Sequence, residues 1–415
     1  VHVSVGGELL NLNLADPFAL LALAALALQC LGQRRAPAWR VPRFNLLLGC
    51  ALAVLLLGLF IGLHAVGPTR WALGGRGMGA LVLLGYCAGG ALLVANHGAH
   101  GLRRALEAMI AVACVIVLMQ IALRSAAIYG LVPLQDHNFS AYAANRNAFA
   151  FQVLCMTAAL LGYMGVHVRR LGGRRGARLC GAALGVLMAG LLFSGSRAGL
   201  GAAGILLAVA VVRSVASLRA LALAACVALG LWMAAPPGVA SPDTALPMMR
   251  IAGAWYGLAK MAGLNPPPAP LPRETLQRLQ LLERARWKTN REGLALWRDA
   301  PVLGQGLGTF YARSQELVGQ EITIHSTPIW VLAEFGLAGM AVLLAGTVLL
   351  GRHALRHWRA APRARTLGLL LLAFAVFCQV HEVLYQRMFW LLLGLLLAAP
   401  PPGEPAAPAA EPPQP

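Results

Sequence analysis

Three residues far apart in the chain carry most of the chemistry this sequence offers. Arg197 lies in the turn Phe193-Ser194-Gly195-Ser196-Arg197-Ala198-Gly199, and Arg286 in a polar, arginine-rich stretch. His325 lies in Thr323-Ile324-His325-Ser326-Thr327-Pro328, where that stretch runs back into an apolar segment. Two guanidinium groups hold a diphosphate through bidentate, charge-assisted hydrogen bonds. A histidine, whose imidazole titrates near neutral pH, takes a proton from an attacking hydroxyl. Together they suit a transfer reaction with an anionic leaving group, and each donor beside the outgoing charge is worth about 3–4 kcal/mol in other enzymes. Taken singly, each has a plainer reading: an arginine at a membrane edge is an interfacial anchor, and a lone histidine is a hydrogen-bonded structural group.

The acids and thiols narrow the chemistry. There are only 15 Asp and Glu, with no DxD and no paired carboxylates in the turns that matter. A Mg²⁺-dependent transfer would need such oxygen ligands. All 8 cysteines fall in apolar stretches, without CxxC or a Cys/His cluster, and read as small buried hydrophobes. The expectation is a reaction with no metal and no cofactor, arginine standing where a metal would clamp the diphosphate. Glu334 follows His325 by nine residues, about 180° around a helix. That leaves it a helix-packing or structural hydrogen-bonding role.

The elements that must position these residues are membrane helices. The chain is 59% hydrophobic and 12% charged, far from a soluble composition. Apolar windows able to cross about 30 Å of hydrocarbon recur at 17–32, 44–66, 77–96, 105–123, 147–168, 177–194, 198–212, 218–235, 327–350, 366–383 and 386–399. The expected fold class is an all-α polytopic membrane protein of about 11–12 transmembrane helices with one large helical periplasmic loop. The upper count allows for a helix before Val1, because the first span is short. Residues 1–235 form an N-terminal bundle, 236–326 the loop domain, 327–399 the C-terminal helices, and 400–415 a disordered Pro/Ala-rich tail. No internal repeat is visible, which weakens a transporter built on inverted repeats.

Arginines crowd alternate loops: 34, 35, 40 and 43; 103 and 104; 169, 170, 174, 175 and 178; 352, 356, 359, 363 and 365. The positive-inside bias assigns these loops to the cytoplasm and the 236–326 loop to the outside. Roughly half of the basic residues behind the net charge of +19 are thus topological anchors, set beside anionic headgroups. No zinc spacing or nucleic-acid-binding basic motif appears, so nucleic acid is not an expected partner. The outer loop holds ten Arg and Lys against seven Asp and Glu, on the side where basic residues are disfavoured, which calls for an anionic ligand there.

Within the loop, Met248–Ala262 reads as an amphipathic helix on the membrane surface, flanked by proline-rich connectors at 236–247 and 264–272. Arg273–Asp299 reads as a longer helix. On it Arg284, Lys288, Arg291 and Arg298 fall within about 80° of one another, forming a basic stripe. Leu279, Leu282, Gly293 and Trp297 gather opposite, with Arg286 in their midst. That arginine either lays its stem over apolar surface or reaches into a cavity.

The ordered set of short motifs then points to a family. Phe139 and Asn145-Arg146-Asn147 come first, then Ser194-Gly195-Ser196-Arg197-Ala198-Gly199. Pro301-Val302-Leu303-Gly304-Gln305-Gly306 follows, then His325-Ser326 and Glu334-Phe335-Gly336. This order resembles the O-antigen ligase and O-antigen polymerase superfamily, which also contains bacterial protein O-oligosaccharyltransferases. The resemblance covers about residues 140–340. His-Ser-Thr-Pro departs from the aliphatic or aromatic residue many members carry after the histidine pair, although Pro328 suits the first turn of a helix.

The resemblance implies an O-antigen ligase in the bacterial inner membrane, with its active site facing the periplasm. It would move a preassembled glycan from undecaprenyl diphosphate to lipid A–core without metal, inverting the anomeric centre. His325 would be the general base and Arg197 and Arg286 the diphosphate clamp, with Arg291, Asn145 and Ser196 assisting in substrate binding. Its partners would be the undecaprenyl-diphosphate-linked glycan, the lipid A–core acceptor and membrane lipids, the protein acting as a monomer. The rivals are an O-antigen polymerase, a protein O-oligosaccharyltransferase and, from another class, a lipid-linked glycan transporter. The last would need ionisable residues at mid-membrane depth, and the spans offer little beyond Glu107, Gln120 and Gln152.

Overall fold

The computed structural model describes residues 2–5, 8–11, 13–69, 71–133, 139–143, 145–236, 239–240 and 273–399. Side chains of 2–11, 142 and 273–285 are excepted. The expected surface helix Met248–Ala262, its two proline connectors for the most part, and the 400–415 tail lie outside the described residues.

The chain is a helical multi-pass membrane protein. Its helices are α1 (Asp16–Gln33), α2 (Phe44–Val66), α3 (Met78–Ile128), α4 (Arg146–Arg170), α5 (Arg174–Ser194) and α6 (Arg197–Val212). They continue as α7 (Leu218–Ala234), α8 (Arg273–Asp299), α9 (Thr309–Val318), α10 (Thr327–Arg356), α11 (Pro362–Phe377) and α12 (Arg387–Leu397). Each of the eleven apolar windows falls on a helix, two of them on α3, whose ladder breaks at Gly98 (φ 57°, ψ −146°). Among the described residues, six helices are long and apolar enough to cross a membrane: α1, α2, α3 with the π-helix Trp71–Gly77 that opens it, α4, α5 and α10. Helices α6, α7 and α12 are apolar but shorter. A two-stranded antiparallel hairpin, His2–Val5 with Glu8–Asn11, precedes α1. Its signal is the alternation of Val-His-Val-Ser-Val before Gly6-Gly7, which the search for apolar windows passes over.

The helices divide into two compact units, the first comprising Val1–Glu107, Arg291–Leu371 and Leu384–Pro415, the second Ala108–Asn290 and Leu372–Val383. In the first, an ion pair ties α1 to α12. Arg387 donates Nε–H and Nη2–H to Asp16 at 2.6 and 2.7 Å, and the Tyr86 hydroxyl donates to the same carboxylate at 3.1 Å. The core of this unit gathers Leu296, Leu307, Phe310, Ile324, Trp330, Val331 and Phe335 against Leu55 and Leu59 of α2. In the second unit α4 is buried along most of its length, and α5 meets α7 through Gly181 and Gly185. Small residues let helix backbones approach where lipid supplies no hydrophobic drive.

Candidate functional site

The Gly304–Gly308 segment shows how the first unit holds the residues around His325. Helix α10 breaks at Gly336 (φ 61°, ψ −156°), which frees two carbonyls and two N–H groups that water cannot satisfy within a bilayer. The loop supplies all four partners. Gln305 and Gly306 N–H donate to the carbonyls of Ala333 and Glu334, at 2.9 and 3.1 Å. Pro301 and Val302 carbonyls accept from Leu337 and Ala338, at 2.9 and 3.0 Å. Leu307 N–H adds a 2.7 Å bond to the Gly58 carbonyl of α2. Gly306 sits at φ 93°, where a β-carbon would meet the backbone of Gly62. The Gly-x-Gly-x-Gly run is therefore a backbone plug, packed between α2 and the broken helix.

Glu334, 2% exposed, fastens the same joint from the side. Its Oε2 accepts from Trp330 Nε1–H at 2.8 Å. The countercharge is Arg76, 5% exposed, on the π-helix. Its guanidinium stands 4.9, 4.9 and 4.4 Å from the rings of Trp71, Trp330 and Tyr385. The Tyr385 hydroxyl donates to the Arg76 carbonyl at 3.0 Å. An arginine enclosed by three aromatic faces keeps part of its cation–π stabilisation where hydration is lost. Arg76, Trp330 and Tyr385 were not singled out from the sequence. The signal available was an arginine amid glycines (Gly74-Gly75-Arg76-Gly77) at the entrance to an apolar span.

His325 precedes Ser326, the N-cap of α10, and Pro328 follows in its first turn. Ile324, Ser326 and Thr327 are buried while the imidazole is half-buried, so the backbone on both sides is fixed and the ring projects from a packed base. That base is set by α8. A β-carbon at Gly293 would lie 2.7 Å from Ile324 and 3.0 Å from Ile329. On α8, Lys288, Arg291 and Arg298 are exposed and Arg286 is half-buried. The basic stripe is thus solvent-facing from Lys288 onward, and the Arg284 side chain lies outside the described residues.

In the second unit two helix starts are tied together. Asn145 caps α4, its Oδ1 accepting from Asn147 N–H at 2.8 Å. Ser196 caps α6, its Oγ accepting from Gly199 N–H at 3.2 Å and donating to Asn147 Oδ1 at 2.9 Å. Ser194 Oγ accepts from Ser196 N–H at 3.2 Å, and Gly195 takes the left-handed turn (φ 65°) that ends α5. Each cap is followed by an arginine at the first helical position, Arg146 on α4 and Arg197 on α6. A helix N-terminus already carries about half a positive charge, to which an arginine at the first helical position adds. Two such starts, each opening on an arginine, form one basic corner of the second unit. Arg146 is the member the sequence reading left unassigned, and the repeated pattern of a capping residue followed by arginine was its signal.

Of the residues expected to act, Asn145, Ser196 and Arg197 come together in the second unit, which also contains Arg286, whereas His325 and Arg291 belong to the first. Among the described residues no three His, Cys, Asp or Glu side chains are grouped as metal ligands would be. No protein-family model matches this chain, and no characterised protein resembles it closely enough in sequence to match.

Proposed function

We propose that the protein is an O-antigen ligase of the bacterial inner membrane, working at the periplasmic face. The observation that carries this reading is the pair of capped helix starts, joined through Asn147, each followed by an arginine. A diphosphate has the charge and the oxygen geometry to bind there. The order of motifs, from the Asn-Arg-Asn turn to His325, adds the resemblance.

In this reading the donor is a glycan on undecaprenyl diphosphate, and Arg197 and Arg286 hold its diphosphate, with Arg291 assisting. A hydroxyl of lipid A–core attacks the anomeric carbon as the bond to the diphosphate oxygen breaks. His325 takes the hydroxyl proton, and undecaprenyl diphosphate departs with the electron pair against the arginines. Attack opposite the leaving group inverts the anomeric centre. Asn145 and Ser196 keep the two helix starts in register, and no metal takes part. The basic surface of the outer loop would meet the phosphorylated core, while the apolar helices give the polyprenyl tail its path.

Deleting the gene in its host and analysing lipopolysaccharide beside the lipid-linked pool tests the reading. Bare core with long polymer accumulating on undecaprenyl diphosphate is the expected result. Core capped by a single repeat unit would make the protein the polymerase, and an unchanged ladder would move it to protein glycosylation or transport.

A further inference from the structure

A second basic site lies at the other end of the second unit. An open groove of about 910 Å³ is lined by Arg174, Arg178, Ser217, Arg219 and Leu223, with Val168 at its edge. Its origin is visible along α5. Gly185 and Gly181 let α7 approach to contact with Val227, Ala224, Leu223 and Ala220. One and two turns toward the N-terminus, the same face carries Arg178 and Arg174, and the helices part around their bulk. Helix α5 is 21 residues long, about 30 Å at 1.5 Å per residue, so the groove is that far from the turn holding Ser196 and Arg197. It is a separate place from the proposed catalytic corner and does not depend on that reading.

We infer that this groove binds the phosphate group of an anionic membrane lipid. Its mouth holds three guanidinium groups, and among the described residues that line it there is no carboxylate. None of the three arginines is hydrogen-bonded or ion-paired through its side chain to another described residue. Their charge is also reinforced by the starts of α5 and α7, which meet here. The floor is apolar: Leu223, Ala177 and Ala220 line it, and Leu218 is 73% exposed beside it. A basic rim over an apolar floor between membrane helices matches a phosphate headgroup with an acyl chain beneath it. A soluble phosphate shares the headgroup's chemistry but has no use for the apolar floor.

The test uses the purified full chain in a neutral detergent and native mass spectrometry. The probes are phosphatidylglycerol, phosphatidylcholine of the same acyl chains, and inorganic phosphate. Phosphatidylglycerol should be retained at least about tenfold over phosphatidylcholine. The R174Q/R178Q/R219Q variant should lose that preference, and R174K/R178K/R219K should keep most of it. R34Q/R35Q, which removes two exposed arginines elsewhere, should leave it unchanged. Inorganic phosphate binding with the same arginine dependence, and no lipid preference, would keep the phosphate site but give it a soluble occupant. Equal retention of both lipids without phosphate binding, or an equal loss in R34Q/R35Q, overturns the inference. A glutamine variant that aggregates is replaced by single substitutions, for which each arginine must account for part of the preference.

Discussion

Arg76 and Glu334 are a buried pair whose two halves are held by different partners. The carboxylate accepts from Trp330, while the guanidinium lies among three rings. Removing one charge strands the other, a loss of about 3–5 kcal/mol for a buried pair. Arg76→Met and Glu334→Gln should therefore each lower the unfolding midpoint in detergent. The double variant should lose less than the sum, because the second substitution removes a charge already stranded. Strict additivity in the thermal melts would show that the two side chains act on separate structures. His325 belongs to the same scale but a different measurement. His325→Ala should leave the melt within about 1 kcal/mol of the parent, since the ring is half-buried. Glycan transfer should fall by about 100-fold or more, and normal turnover would remove the base assignment.

The break in α10 is the element on which the first unit turns. Its freed carbonyls and N–H groups are satisfied only while the Pro301–Leu307 segment stays in register with Ala333–Ala338. Gly306 is the tightest point, with φ 93° and the α2 backbone where a side chain would be. Gly306→Ala must adopt a left-handed conformation and displace α2, together costing about 2–4 kcal/mol. The expected result is a destabilised protein with His325 shifted from its base and transfer lost. Stability equal to the parent would mean that the loop does not plug the helix. The sequence displays the glycines and the Glu-Phe-Gly run plainly, but as separate motifs. Their pairing spans about thirty residues and two helices, which no local periodicity encodes.

At the scale of the whole molecule, the charge distribution implies sidedness. Arg175 is exposed near the basic α4–α5 turn, and Lys288 is exposed on α8 in the polar stretch. Cysteines placed at these two positions, in a background with Cys50 and Cys226 replaced by alanine, should react with an impermeant maleimide from opposite faces. Position 288 should label in right-side-out vesicles and position 175 only after permeabilisation. Labelling of both from one face would overturn the topology and, with it, a periplasmic active site.

Among the described residues the apolar windows located the six helices able to cross a membrane, because about twenty apolar residues in succession have no other stable home. They misjudged the ends. Helix α5 begins at Arg174 rather than at the first apolar residue, and α11 stops at Phe377 inside an apolar run, since hydropathy marks contact with lipid while capping decides where a helix ends. The residue types for anion binding and proton transfer were also readable, whereas the capping roles of Asn145 and Ser196 came from the structure. Only the tertiary structure showed that those two caps share Asn147. It alone showed that Tyr385, more than three hundred residues away in the chain, helps enclose the charge of Arg76. Local sequence specifies what each helix is and where it starts, but buried polar groups choose their partners in space, wherever packing leaves a donor and an acceptor without water.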